Sequence, residues 1–194
     1  MDRGARLARL HGQADYAQKW DAIADEIHGD ICRNGVDDRG VFVQAYGTTN
    51  LDASLLLIPL VRFLPADDPR VRATVLAIAN ELTRNGLVLR YRPDQTDDGL
   101  TGAEGTFTIC SFWLVSALVE IGDVDRAKAL CERLLSHASP LGLYAEELDP
   151  VSGRHLGNFP QAFTHLALIN ALVHLIRAEE TDRQTLFAPA HRHL

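Results

Sequence analysis

The sequence predicts an all-α chain built from helical hairpins, and three observations carry that prediction. Apolar residues recur at spacings of three and four along most of the chain, the mark of amphipathic helices. Turn signals separate these stretches: Asn34-Gly35, Asp68-Pro69, Asn85-Gly86 and Gly122-Asp123. The second, fourth and sixth stretches begin near Leu51, Thr106 and Pro160, roughly 55 residues apart, a period typical of repeat architectures.

Taken in order, Gln13 to Cys32 places Tyr16, Trp20, Ile23, Ile27 and Ile31 on one stripe, and Gly35 is expected to end that helix in a left-handed conformation. The short extended piece Val41-Phe42-Val43 precedes a helix from about Leu51 to Phe63, with Asn50 as its expected N-cap. Asp68-Pro69 opens the third helix, cap followed by proline, which is expected to reach Arg84. A polar, glycine-bearing loop leads to the fourth, Thr106 to Glu120, and a tight turn to the fifth, Val124 to about His137. A long loop, Ser139 to Phe159, leads to the sixth, Pro160 to Ala178. ICSFWLVSALV and AFTHLALINALVHL are apolar nearly all round, as inner helices should be, whereas the outer helices keep charges on one face. Residues 181–194 form a polar tail expected to fray.

Three such hairpins do not close a toroid. A solenoid buries each unit against its neighbours, and this chain carries no polar cap at either end, so it is expected to be part of something larger. The segment ARLARLHG before Gln13 reads as the end of another helix.

Composition bounds the function. The 194 residues carry 19 Lys+Arg against 26 Asp+Glu, a net charge of −7, with 46% hydrophobic and 23% charged residues. Such a composition excludes general disorder and suits one globular domain. A pI near 5.5 without a basic cluster excludes nucleic acid, whose binding depends on neutralising phosphates. Cys32, Cys110 and Cys131 are widely spaced, which suits neither a disulfide framework nor a zinc site. The eight histidines show no metal-ligand spacing, so no metal and no cofactor is expected. Ser111, Ser116 and Ser139 lack the setting of a nucleophile, and Asp97-Asp98 lacks the neighbours of a diphosphate-metal motif. The apolar run Leu55–Leu60 is far short of the ~20 residues of a membrane span, and the first residues do not read as a signal peptide. A cytoplasmic location, without membrane partners, is the expectation.

The loops ahead of the inner helices hold the candidate chemistry. One contains Arg90, Tyr91, Arg92, Asp94, Asp97, Asp98 and Glu104, followed by Phe107, Phe112 and Trp113. Aromatic surfaces combined with charged hydrogen-bonding groups suit sugar recognition; the same aromatics also suit a core. The other contains Glu146-Glu147 and Asp149-Pro150. Carboxylates there fit either a solvated acidic loop or a glycosidase site, where one carboxyl acts as acid and the other as base or nucleophile.

As an ordered set these segments are specific. Glu104-Gly105-Thr106-Phe107 leads into Cys110-Ser111-Phe112-Trp113-Leu114. Ala145-Glu146-Glu147-Leu148-Asp149-Pro150 follows, then Gly157-Asn158-Phe159-Pro160-Gln161-Ala162-Phe163-Thr164-His165. The set resembles glycoside hydrolase family 15, the family of glucoamylases, glucodextranases and prokaryotic trehalases, from about residue 5 to residue 178. The resemblance implies an (α/α)6 barrel, of which residues 1–180 would supply the C-terminal half, about three of six hairpins. It also implies cleavage of an α-glucosidic bond with inversion.

Carried over residue by residue, the resemblance makes Glu146 the general base that deprotonates the attacking water, with Glu147 as the fallback. Arg90 with Tyr91 matches an Arg-Tyr pair whose Arg binds sugar hydroxyls. Trp113 and Glu104 fall in a segment lining the same pocket, and Asp52 matches a polar residue at the top of another inner helix. One departure stands out. The family's general acid is a Glu after a Trp, and the tryptophans here read Trp20-Asp21 and Trp113-Leu114. The implied reading is a fragment of an inverting α-glucoside hydrolase, with little activity alone. Its substrate is trehalose, a maltooligosaccharide or dextran, and its partners are that substrate and either the other half of the barrel or a second copy. The resemblance extends to trehalases that depend on phosphate and Mg²⁺, but no site for either is legible. The alternative is a non-catalytic helical-repeat module that binds carbohydrate or protein.

Overall fold

The computed structural model describes residues 1–92 and 105–187. Its helices are α1 (Asp2–Leu10), α2 (Ala14–Asn34), α3 (Leu57–Leu60), α4 (Pro69–Glu81), α5 (Thr108–Glu120), α6 (Val124–Leu135) and α7 (Ala162–Phe187). A 3-10 turn, Ala53–Leu56, leads directly into α3. Strands are two residues long and confined to the connections: β1 (Thr83–Arg84) with β2 (Leu87–Val88), and β3 (Thr106–Phe107), β4 (Glu147–Leu148) and β5 (His155–Leu156) in one antiparallel sheet of order β3-β4-β5. The architecture is helical hairpins in two layers. The 3-10 turn with α3, then α5 and α7, pack side by side as the inner layer, and α4 and α6 pack outside them.

α5 is the centre of the molecule. Its residues are apolar on every side, and Cys110, Ser111, Phe112, Leu114, Val115, Ser116, Ala117 and Leu118 are buried. Burial of Phe112, Leu114, Val115 and Leu118 stabilises by roughly 1.5–3 kcal/mol each relative to exposure. Phe112 meets Tyr144 edge to face, with ring centroids 5.7 Å apart, and thereby ties the helix to the segment before Glu146. Cys110 and Cys131 are buried and Cys32 partly buried, all three as free thiols. No helix among the described residues is long and apolar enough to cross a membrane.

Several local expectations are corrected. Gly35 ends α2 at φ −95°, not in the left-handed region. A Cβ there would lie 2.8 Å from the Ile31 carbonyl oxygen, so space rather than backbone angle requires glycine. The stretch from Leu51 is not one helix, and its cap is Asp52 rather than Asn50; Asp52 accepts from the Ser54 N–H. Arg62 at φ 58° then turns the chain away soon after α3 ends. α4 begins at Pro69 with Asp68 as cap but stops at Glu81. Thr83–Val88 forms a hairpin instead, with Asn85 and Gly86 both at positive φ in its turn. Thr106 and Phe107 are strand, not helix, because they pair with Leu148 and Glu147 of β4, beyond α5 and α6 in the chain. The last helix begins at Ala162 and continues past Ala178 to Phe187.

α7 departs from α5 in one respect. One flank packs on α5 and α6, but Phe163, Leu166, Ile169, Val173 and Ile176, spaced by three and four, are exposed.

Candidate active site

The starts of the inner helices gather the polar residues. Asp52, immediately ahead of the 3-10 turn, accepts on Oδ1 from the Ser54 N–H at 2.7 Å and from Arg90 Nε at 2.9 Å. Its backbone forms an antiparallel bridge with Tyr91, and the Ala53 N–H donates to the Arg90 carbonyl at 2.7 Å. Asp52, Arg90 and Tyr91 are therefore one unit, although they come from different loops. The Asp52 side chain is only 10% exposed, whereas that of Arg90 is 42% exposed. Burial works to lower the Arg90 pKa, but the bond to Asp52 and its charge outweigh it, leaving the guanidinium above its ordinary value. Cys110, on the first turn of α5, feels both charges; burial pushes its thiol up to about 12, against the opposing pull of Arg90.

Glu146 and Glu147 have different settings. Glu147 lies in β4, opposite Phe107 on one side and Leu156 on the other. Its Oε2 accepts from the Gly105 N–H at 2.9 Å. Glu146 stands just before the strand, and its Oε2 accepts from Asn158, from the backbone N–H at 3.2 Å and from Nδ2 at 3.0 Å. Successive residues of an extended segment point to opposite sides, which separates the two carboxylates.

The backbone of Glu146 is fixed by helices on both sides. The Thr108 N–H, at the start of α5, donates to the Glu146 carbonyl at 2.9 Å. The Gln161 N–H donates to Tyr144 O at 2.9 Å, and the Thr164 hydroxyl donates to Ala145 O at 3.1 Å. The Tyr144 N–H donates to His165 Nε2 at 3.3 Å, while His165 Nδ1 lies 2.7 Å from Gln161 O. This pattern requires the neutral imidazole with its proton on Nδ1. The segment Gln161–His165 is thus a clamp for Tyr144–Glu146.

The first turn of α5 links the two groups. Its Ser111 hydroxyl accepts from the Val88 N–H at 2.9 Å, two residues before Arg90, and its Thr108 N–H holds the Glu146 carbonyl. Trp113 lies further along the same helix, half-buried, one turn on from Ile109. Glu104 lies outside the described residues. The contacts of Asn158, Thr164 and His165 have no signal in the sequence beyond the order of these residues after the Glu pair.

Helical hairpins stacked so that each inner helix starts beside a polar loop define the class of α-hairpin barrel and toroid proteins. Residues 1–173 match the model described as glycosyl hydrolases family 15, and the chain belongs to that family. It is 73% identical over 192 residues to a trehalase of Mycobacterium tuberculosis and 42% identical over 171 residues to a trehalase of Thermoplasma acidophilum. These matches cover 98% and 87% of this chain but 28% and 29% of those proteins, so the chain spans less than a third of their length. Among solved structures, a bacterial glucoamylase complexed with acarbose superimposes with a TM-score of 0.75 at 15% identity, over 90% of this chain and 31% of that one. A glycosidase superimposes with a TM-score of 0.69 at 23% identity, over 84% of this chain and 45% of that one. These likenesses establish the fold as part of an (α/α)6 barrel.

Proposed function

We propose that this chain supplies the general-base side of an inverting α-glucoside hydrolase acting on trehalose, with Glu146 as the base. The observation that supports this most is the separation of the two loop carboxylates: Glu147 is engaged within the sheet, and Glu146 is held outside it. The trehalases at 73% and 42% identity support trehalose over longer glucans.

In this reading Glu146 accepts the proton of the water that attacks the anomeric carbon. Arg90 donates to sugar hydroxyls from a position braced by Asp52 and Tyr91, and Trp113 and Glu104 contribute to the same pocket. An inverting pair sets its carboxyls roughly 6.5–9.5 Å apart, with the water between the base and the sugar. No Glu follows a Trp in this sequence, so the acid that protonates the leaving group comes from outside these residues. The chain alone then hydrolyses little or no trehalose.

The experiment is a segment exchange. The matched part of the M. tuberculosis trehalase is replaced by this chain, and glucose release from trehalose is measured. The exchanged enzyme is expected to be active and the isolated chain inactive. Glu146→Gln should lower kcat by about 10²–10⁴-fold, the usual share of a general base, with a much smaller change in KM. A folded exchange enzyme whose rate survives Glu146→Gln would overturn the assignment.

A further inference from the structure

We propose that Asn158 is a positioning residue for Glu146, gripping one carboxylate oxygen so that the other is presented to the reacting water. The proposal rests on the reading of Glu146 as general base.

Two donors of one residue converge on one oxygen: the Asn158 N–H at 3.2 Å and its Nδ2 at 3.0 Å both meet Glu146 Oε2. Among the described residues, hydrogen bonds to this carboxylate fall on Oε2 alone. The grip is reciprocal, since the Glu146 N–H donates to the Asn158 carbonyl at 2.9 Å. A glutamate side chain ends in a broad, nearly two-fold torsion, and on an open loop it would sweep through many orientations. Double donation to one oxygen removes that freedom and leaves Oε1 as the outward lone-pair carrier.

Gly157 makes the approach possible. It sits at φ +70°, and a Cβ there would lie 2.9 Å from Glu146 Oε2 and 3.2 Å from the Glu146 Cβ. Any side chain at 157 would push the carboxylate off its anchor. From Asn158 the chain runs directly into the clamp at Gln161 and Thr164, so the direction of the Glu146 carboxylate is referred to the start of α7 rather than to its own loop. Glu147, by contrast, takes its bond from Gly105 at the sheet. For a base, orientation is rate: a misplacement of about 1 Å costs on the order of 10²-fold.

The test is a kinetic cycle in the segment-exchange enzyme, joined to a spectroscopic measurement on the chain itself. Asn158→Ala should lower kcat about 10- to 100-fold with KM within about twofold. Asn158→Asp should fall at least as far, because it keeps the shape, loses the donor and sets a second carboxylate against the first. Added to Glu146→Gln, Asn158→Ala should cost nothing further, since it acts only through Glu146. An equal loss in both backgrounds would overturn the positioning role while leaving Glu146 as base. Normal activity of Glu146→Gln would overturn the base and the proposal together. Should the Asn158 variants fail to fold, NMR of the unaltered chain decides. One Asn158 side-chain amide proton should resonate downfield and move upfield in Glu146→Gln, and an indifferent resonance would overturn the grip.

Discussion

Asp52 and Arg90, 38 residues apart in the chain, are joined by a 2.9 Å hydrogen bond from Nε to Oδ1, and the same Asp52 oxygen caps the 3-10 turn that opens the inner layer. One carboxylate therefore braces the arginine and starts a helix. The guanidinium therefore cannot shift without disturbing the turn.

Removal of that carboxylate should be felt in stability. Asp52→Ala loses a cap and leaves a half-exposed guanidinium without its partner, at an expected cost of about 1–3 kcal/mol. Asp52→Asn keeps an acceptor for the Ser54 N–H and should lose roughly half as much. Urea unfolding of the two variants measures the difference, and a neutral Asp52→Ala would remove the bracing role.

Glu147 should matter to the sheet more than to the reaction. Glu147→Gln keeps an acceptor for the Gly105 N–H, so kcat in the exchange enzyme should change by less than about tenfold. Glu147→Ala should destabilise the chain by about 1–2 kcal/mol through the lost bond. If Glu147→Gln lowered kcat more than Glu146→Gln, the role of base would pass to Glu147.

The bare flank of α7 should drive self-association of this chain. Phe163, Leu166, Ile169 and Ile176 are each more than half exposed along one stripe. Light scattering at tens of micromolar should show species larger than a monomer, and Leu166→Glu with Ile169→Lys should return it to 21.4 kDa. A monodisperse wild-type monomer would count against the prediction.

Stability should fall at both ends of the pH range. The Asp68 carboxyl is held below its ordinary 3.8 chiefly by the bond from Arg70. At Asp37 burial pulls upward, but bonds from Arg39 and the Val41 N–H bring the net below 3.8. A depressed carboxyl stabilises fully above its unfolded value, and that contribution disappears as pH falls below about 4 through the folded values. Cys110 acts on the other limb. Its thiol stays protonated in the fold up to about 12 but ionises near 9.0 when unfolded, so stability declines as pH rises between those values. Thermal unfolding across the range should show both slopes, and Cys110→Ala should make the alkaline one shallower.

Much of the site was legible because its residues sit in motifs of fixed order, but their partners were not. Glu146 and Glu147 are adjacent in sequence and chemically identical, so local pattern treats them alike. What separates them is Gly105 on one side and Asn158 on the other, both contributed by distant segments. Asn158 itself was visible only as a member of a motif. Its use depends on the antiparallel return of residues 155–158 beside residues 146–148, which no local periodicity encodes.

The sequence by itself determined the helical class, the hairpin order and the caps at Asp68-Pro69, because 3.6-residue periodicity and cap chemistry act within a few residues of one another. Tertiary structure alone decided the rest. Thr106 and Phe107 became strand rather than helix once Leu148 and Glu147 offered them hydrogen bonds, and Asp52 displaced Asn50 as cap while it also held Arg90. α5 and the first half of α7 are both apolar nearly all round, yet neighbours surround the first and leave one flank of the second exposed. Burial is a property of what packs against a helix, and a residue's own pattern specifies only that something should.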